Sequence, residues 1–164
     1  MVWGSVWGAL ALLLPMLFHP LGLGTHLMPM FAPLILAGLT LHPRTSLTLA
    51  AAIPLLSGLF TGMPPLFPPM AAMMSVEGLL MISWLSVGFR RLDWNIYFCL
   101  AVAFVLQRVG RVLFILVVGN WFELPAGWLA AGALVWGLPG AALQMGLIPW
   151  VWKEMERKRI GSEE

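Results

Sequence analysis

The chain has 164 residues, of which 60% are hydrophobic and only 10% are Asp, Glu, Lys or Arg. A soluble domain carries about a quarter charged residues, so this composition excludes a water-covered globule and points to one polytopic domain in a lipid bilayer. The net charge of +2 is small, and its placement matters more than its size.

Apolar runs separated by polar or Pro/Gly breaks predict helices at roughly Val2–Phe18, His26–Leu41, Thr45–Phe60, Met70–Phe89, Asn95–Gly119 and Trp128–Trp152. The expected fold is therefore an all-α membrane protein with six transmembrane helices. The first run reads as a span rather than a cleavable leader. No basic region precedes it, and His19-Pro20 follows where a small-residue cleavage site would stand. At about 1.5 Å per residue the first three runs are short for a hydrocarbon core of about 30 Å. Short leading helices imply re-entering loops packed against protein, because irregular backbone at membrane depth must be buried or line a cavity. The expected division is a six-helix unit over 1–152 and a basic cytoplasmic tail over 153–164.

The connections alternate in charge. Arg44, Arg90, Arg91, Lys153, Arg157, Lys158 and Arg159 fall in one set, while His19–Thr25, Thr61–Pro69 and Asn120–Gly127 contain no Lys or Arg. The positive-inside rule then places both termini in the cytoplasm and the loop "TGMPPLFPPM" outside. The outer loops hold Gly, Pro, Met and aromatics, with Glu123 as their single charge. Proline-stiffened apolar loops pack down like a lid more readily than solvated connectors do.

Charge inside a span costs roughly 2.5–3.5 kcal/mol per group and demands a partner. Glu77 in the fourth run and Arg108 and Arg111 in the fifth are such groups. Counted from the outer ends at about 1.5 Å per residue, they lie about 10, 16 and 12 Å deep, respectively. A Glu77–Arg111 pair is geometrically reasonable and leaves Arg108 to seek an acidic or amide-bearing ligand, the alternative being a buried ion-pair network that only holds the bundle together. His26, Met63, Phe67 and Asn120, on or beside the outer loops, complete the candidate substrate-binding set. Gly4 and Gly8 form a small-xxx-small pair suited to close helix approach, by a partner subunit or within the chain. Pro139-Gly140 is expected to break the sixth span. The 11 Met are scattered without a ligand-like cluster, and the single Cys99 excludes an internal disulfide or a Cys-based metal site, so no cofactor is expected. No HExxH, GxSxG or GxxxxGKS pattern is present, so the chain cannot bind and hydrolyse ATP by itself. The tail mixes Glu154 and Glu156 with its cations, which argues for an inner-leaflet anchor or a solvated helix end rather than nucleic-acid binding.

Several stretches resemble the substrate-binding S component of energy-coupling factor (ECF) transporters. "MPMFAPLILAGL" is similar to the family's "PMHIPVLLAG", and "LLSGLFTGMPPLFPPM" to its "LLSSLLTGMPP" loop. "MMSVEGL" puts Glu77 where the family often has a fourth-helix Glu. "LQRVG" is similar to "LGRIV", which makes Arg108 the match, and "LPGAALQMGLIP" to "LPGIILQLILIP". Phe31, Gln107 and Met81 depart from the pattern at positions where His, Gly and an aromatic are common. The resemblance implies a cell-membrane protein that captures a vitamin-like micronutrient from outside. It further implies docking on a transmembrane coupling subunit driven by two ATPase subunits, with Gly4 and Gly8 at that interface. Two other classes stand beside it: an intramembrane enzyme using Glu77 with His26 as acid–base groups, and a structural subunit of a membrane complex.

Overall fold

The computed structural model describes residues 2–67, 69–122 and 137–160. They are helical throughout, with no strand among them. The helices are α1 (Val2–Phe18), a single turn α2 (Gly24–Leu27), α3 (Phe31–Thr40), α4 (Pro43–Thr61), α5 (Met70–Gly88), α6 (Ile96–Val118) and α7 (Leu138–Ile160), with a 3-10 turn at Gly119–Phe122 after α6. Two of them, α5 and α6, are long and apolar enough to cross a membrane.

Local chemistry sets several boundaries. His42 and Asn95 cap α4 and α6, their side chains accepting hydrogen bonds from the Arg44 and Tyr97 backbone N–H groups at 3.3 and 2.8 Å. Pro43 then sits in the first turn of α4, where its missing N–H costs nothing. Gly62, at φ 73°, closes α4 in the left-handed conformation that glycine adopts freely.

Helix α5 is the hub, packed on α3, α4 and α6. The approaches are close because glycine stands at the crossing points. A Cβ on Gly78 would lie 3.4 Å from the Ala50 backbone oxygen, one on Gly38 2.8 Å from Ile82, and one on Gly110 2.5 Å from Leu80. The Ser75 hydroxyl donates to the Ala51 carbonyl at 2.9 Å, tying α5 to α4. Trp7 of α1 donates its indole N–H to the Thr40 hydroxyl of α3 at 2.9 Å. Apolar side chains pack around these ties: Phe31, Leu34, Ile35, Met81, Ile82, Leu85 and Leu100 are all buried.

The contacts also fix direction. Gly4 beside Leu41 and Trp7 on Thr40 set the start of α1 against the end of α3. Gly58 beside Ala71 and Ala51 beneath Ser75 make α4 and α5 antiparallel. Trp84 donating to the Cys99 carbonyl, with Glu77 bonded to Arg111, does the same for α5 and α6. Gly137 next to Arg108, and Trp152 edge-on to Phe89 at 5.4 Å, run α7 back along α6. Successive long helices therefore alternate, and Arg44, Arg90, Arg91, Lys153, Arg157 and Lys158 gather at one end. A band of aromatics lies just inside that end, with Trp94 tilted against Trp84 and edge-on to Phe98 at centroid distances of 5.6 and 5.5 Å.

One predicted helix divides. The second predicted helix, His26–Leu41, is interrupted: α2 ends at Leu27, Met28 adopts the left-handed conformation at φ 47°, and α3 begins only at Phe31. Pro139-Gly140, where a break of the sixth span is expected, sits in the first turn of α7, and the stretch 128–136 of that predicted span lies outside the described residues. Helix α7 continues through Trp152 to Ile160, and residues 161–164 of the expected tail lie outside the described residues.

Gly4 and Gly8 face α4 rather than an open flank. A Cβ on Gly4 would lie 3.5 Å from Thr45, and one on Gly8 3.3 Å from Leu49 and 3.6 Å from Ile53. Of the two uses that suit this small-residue pair, a partner subunit or a contact within the chain, the contact within the chain is formed.

Candidate functional site

The interruption at Met28 organises the site. A helix that stops after one turn leaves backbone carbonyls without intrahelical partners, and at Leu27 and Met28 a side chain supplies the donor. Gln144 of α7 donates its Nε2 to the Leu27 carbonyl at 3.0 Å and to the Met28 carbonyl at 3.1 Å. The approach that permits this depends on Gly140, one helical turn earlier. A Cβ there would fall 2.6 Å from the carbonyl oxygens of both His26 and Leu27.

On the other side of Met28 lies a buried ionic cluster. Glu77 of α5 is fully buried. Arg111 of α6 grips it with two nitrogens, Nε 2.5 Å from Oε1 and Nη2 3.1 Å from Oε2. Gln107, one turn before Arg111 on the same face of α6, donates its Nε2 to Glu77 Oε2 at 3.1 Å and lies 3.6 Å from Met28 Sδ. Three N–H donors thus converge on one buried carboxylate and supply the hydrogen bonds that its burial demands.

Arg108 is half-buried and turns toward α7. A Cβ on Gly137 would lie 2.9 Å from both Arg108 Nη2 and Met28 Sδ, so guanidinium, thioether and the start of α7 meet at one point. Gly137 itself has φ 97°, a conformation that disfavours any side chain there. Arg108 also lines an open apolar groove of about 300 Å³ along α6 with Val105, Val109, Val112 and Leu113.

Of the residues singled out by sequence, Glu77, Arg108 and Arg111 come together, and the anticipated Glu77–Arg111 pair is formed. Gln107 and Arg111 face Glu77, while Arg108 faces Gly137. His26 is exposed on α2, and Met63 and Phe67 are 43% and 74% exposed. Their loop is anchored to α4: the Ser57 hydroxyl donates to the Met63 carbonyl at 2.6 Å, and Leu66 packs over Gly58. Asn120 sits in the 3-10 turn after α6, and its side chain lies outside the described residues. Gln107, Met28 and Gln144 stand outside the candidate set drawn from sequence, Gln107 appearing there only as a departure from the ECF pattern. The signal for Gln107 was there, as a polar residue one turn before an intramembrane Arg.

Among the described residues no three of His, Cys, Asp and Glu gather as a metal site. No protein-family model matches the chain, and no curated protein or solved structure matches it. Function must therefore be argued from the site itself.

Proposed function

We propose that this chain is a six-span protein of the cell membrane, with both ends cytoplasmic, that captures a small polar micronutrient from the outer face. In this reading it is the S component of an ECF-type importer, handing its cargo to a transmembrane coupling subunit worked by two ATPase subunits.

The observation that carries the reading is the placement of Glu77, Arg108, Arg111 and Gln107 beside the interrupted α2–α3 segment. Ionisable groups inside an apolar helical bundle are expensive, and their usual use is a substrate or ion pathway. Broken helices at such depth commonly expose backbone to a ligand. The alternating helices, the cations gathered at one end and the aromatic band beside them support a bilayer with that end inside. The enzyme reading finds less support, since Glu77 is engaged by Arg111 and Gln107 while His26 is exposed.

The test has two parts. Small molecules retained by the protein after gentle purification in detergent are identified by mass spectrometry, and their affinity is measured again for Arg108→Ala. The protein is also reconstituted in vesicles with an ECF coupling subunit and its ATPases, and uptake is followed with and without ATP. Tight binding weakened by Arg108→Ala, with ATP-dependent uptake, is the expected result. Absence of uptake with every retained compound would overturn it.

A further inference from the structure

Two buried carboxamides flank Met28, and the orientation of each is dictated by its neighbours. Gln107 must present its amide nitrogen to Glu77, because a carboxylate only accepts. Gln144 must present its nitrogen to the Leu27 and Met28 carbonyls for the same reason. Each amide oxygen is then committed as an acceptor. Gln107 is 0% and Gln144 2% exposed, and neither Oε1 meets a donor among the described residues.

A buried acceptor left without a donor costs about 1–3 kcal/mol, and folded proteins keep few of them. What completes these two must bring N–H or O–H groups. Glu77 cannot help, since both of its oxygens already accept. An ammonium ion is disfavoured, because Arg108 and Arg111 share the cluster with a single carboxylate, and like charges repel strongly in a low-dielectric interior. A neutral N–H donor meets neither objection. The compounds that carry one beside a carbonyl also offer an acceptor to a neighbouring guanidinium.

We propose that the Met28 interruption is a ligand subsite for a neutral molecule of the amide, lactam or cyclic-urea class, whose N–H groups donate to Gln107 Oε1 and Gln144 Oε1. The inference rests on the capture reading above and names the chemistry of its cargo.

The experiment compares ethyleneurea with its N,N′-dimethyl derivative, which has the same ring and carbonyl but no N–H. Each is added at millimolar concentration to the purified full chain in detergent, and thermal unfolding is followed. Ethyleneurea is expected to raise the midpoint and the dimethyl compound to leave it in place. The shift should disappear in Gln107→Leu, which keeps the Arg111–Glu77 fork. It should also disappear in Gln144→Lys, which keeps a donor for the two carbonyls but has no acceptor. Equal shifts by both ureas, or no shift with ethyleneurea because water alone fills the site, would overturn the subsite; if a variant fails to fold, the wild-type comparison decides. A retained compound without N–H groups overturns the subsite and leaves capture intact. Absent uptake in the vesicle assay counts against capture, while the urea comparison still decides the subsite.

Discussion

Arg111 and Glu77 form a forked ion pair between α6 and α5, with Gln107 donating to the same carboxylate. Glu77 is fully buried and Arg111 is 15% exposed, so little water screens the pair. Removing one member leaves the other charge uncompensated, which costs about 3–5 kcal/mol in buried pairs. Arg111→Ala is therefore expected to lower the thermal unfolding midpoint of the purified protein sharply. Replacing both partners, as Glu77→Gln with Arg111→Met, should recover much of the loss. A single variant as stable as the double would show that the pair contributes little.

Gly140 and Gly146 lie on the same helix and make opposite predictions. A Cβ at Gly140 would strike the His26 and Leu27 carbonyl oxygens at 2.6 Å, while one at Gly146 meets nothing within 4 Å. Backbone oxygen cannot swing aside as a side chain can. Gly140→Ala should push α7 off the α2 turn, weaken both Gln144 hydrogen bonds and cost about 1–3 kcal/mol as an overpacked site. Gly146→Ala should be neutral or slightly stabilising, since alanine favours a helix by up to about 1 kcal/mol over glycine. Equal unfolding midpoints for the two variants would contradict the close approach.

The parts of this molecule that were legible in sequence are those set by local pattern. The limits of α5 and α6 follow from apolar length and from the Asn95 cap. The Glu77–Arg111 pair follows from equal depth in adjacent antiparallel helices. The interruption at Met28 was not legible, because "LMPMFAPL" is uniformly apolar and Pro29 is tolerated at a helix start as well as at a break. What stabilises the break is Gln144, 116 residues away along the chain from Met28. The Gly4/Gly8 spacing announces a close approach without saying which helix approaches, and α4 takes the place.

That assignment of Gly8 is open to direct trial. Leu49 Cδ2 lies 3.3 Å from where a Cβ would be, and it is the flexible end of a side chain. Gly8→Ala should therefore be tolerated with a small shift. Gly8→Leu should separate α1 from α4 and cost about 1–3 kcal/mol in the isolated chain. The measurement is thermal unfolding of the protein without any partner. Unchanged stability for Gly8→Leu would return the stripe to the role of a partner interface.

The loop "TGMPPLFPPM" offers two neighbouring side chains with different expected roles. Leu66 packs against Gly58, where a Cβ would come within 3.0 Å of its Cδ2, and it is only 46% exposed. Phe67 is 74% exposed. Leu66→Ser should loosen the loop and cost about 1 kcal/mol, in line with partial burial of a leucine. Phe67→Ser should change stability by less than about 0.5 kcal/mol, as most exposed substitutions do. If the loop covers bound cargo, both variants speed ligand release, and only Leu66→Ser also lowers the unfolding midpoint. Stopped-flow release of the retained compound separates the two effects. An unchanged off-rate in both would make the loop a stiff connector braced on Ser57 and Gly58, and the cover over the ligand would have to be sought elsewhere.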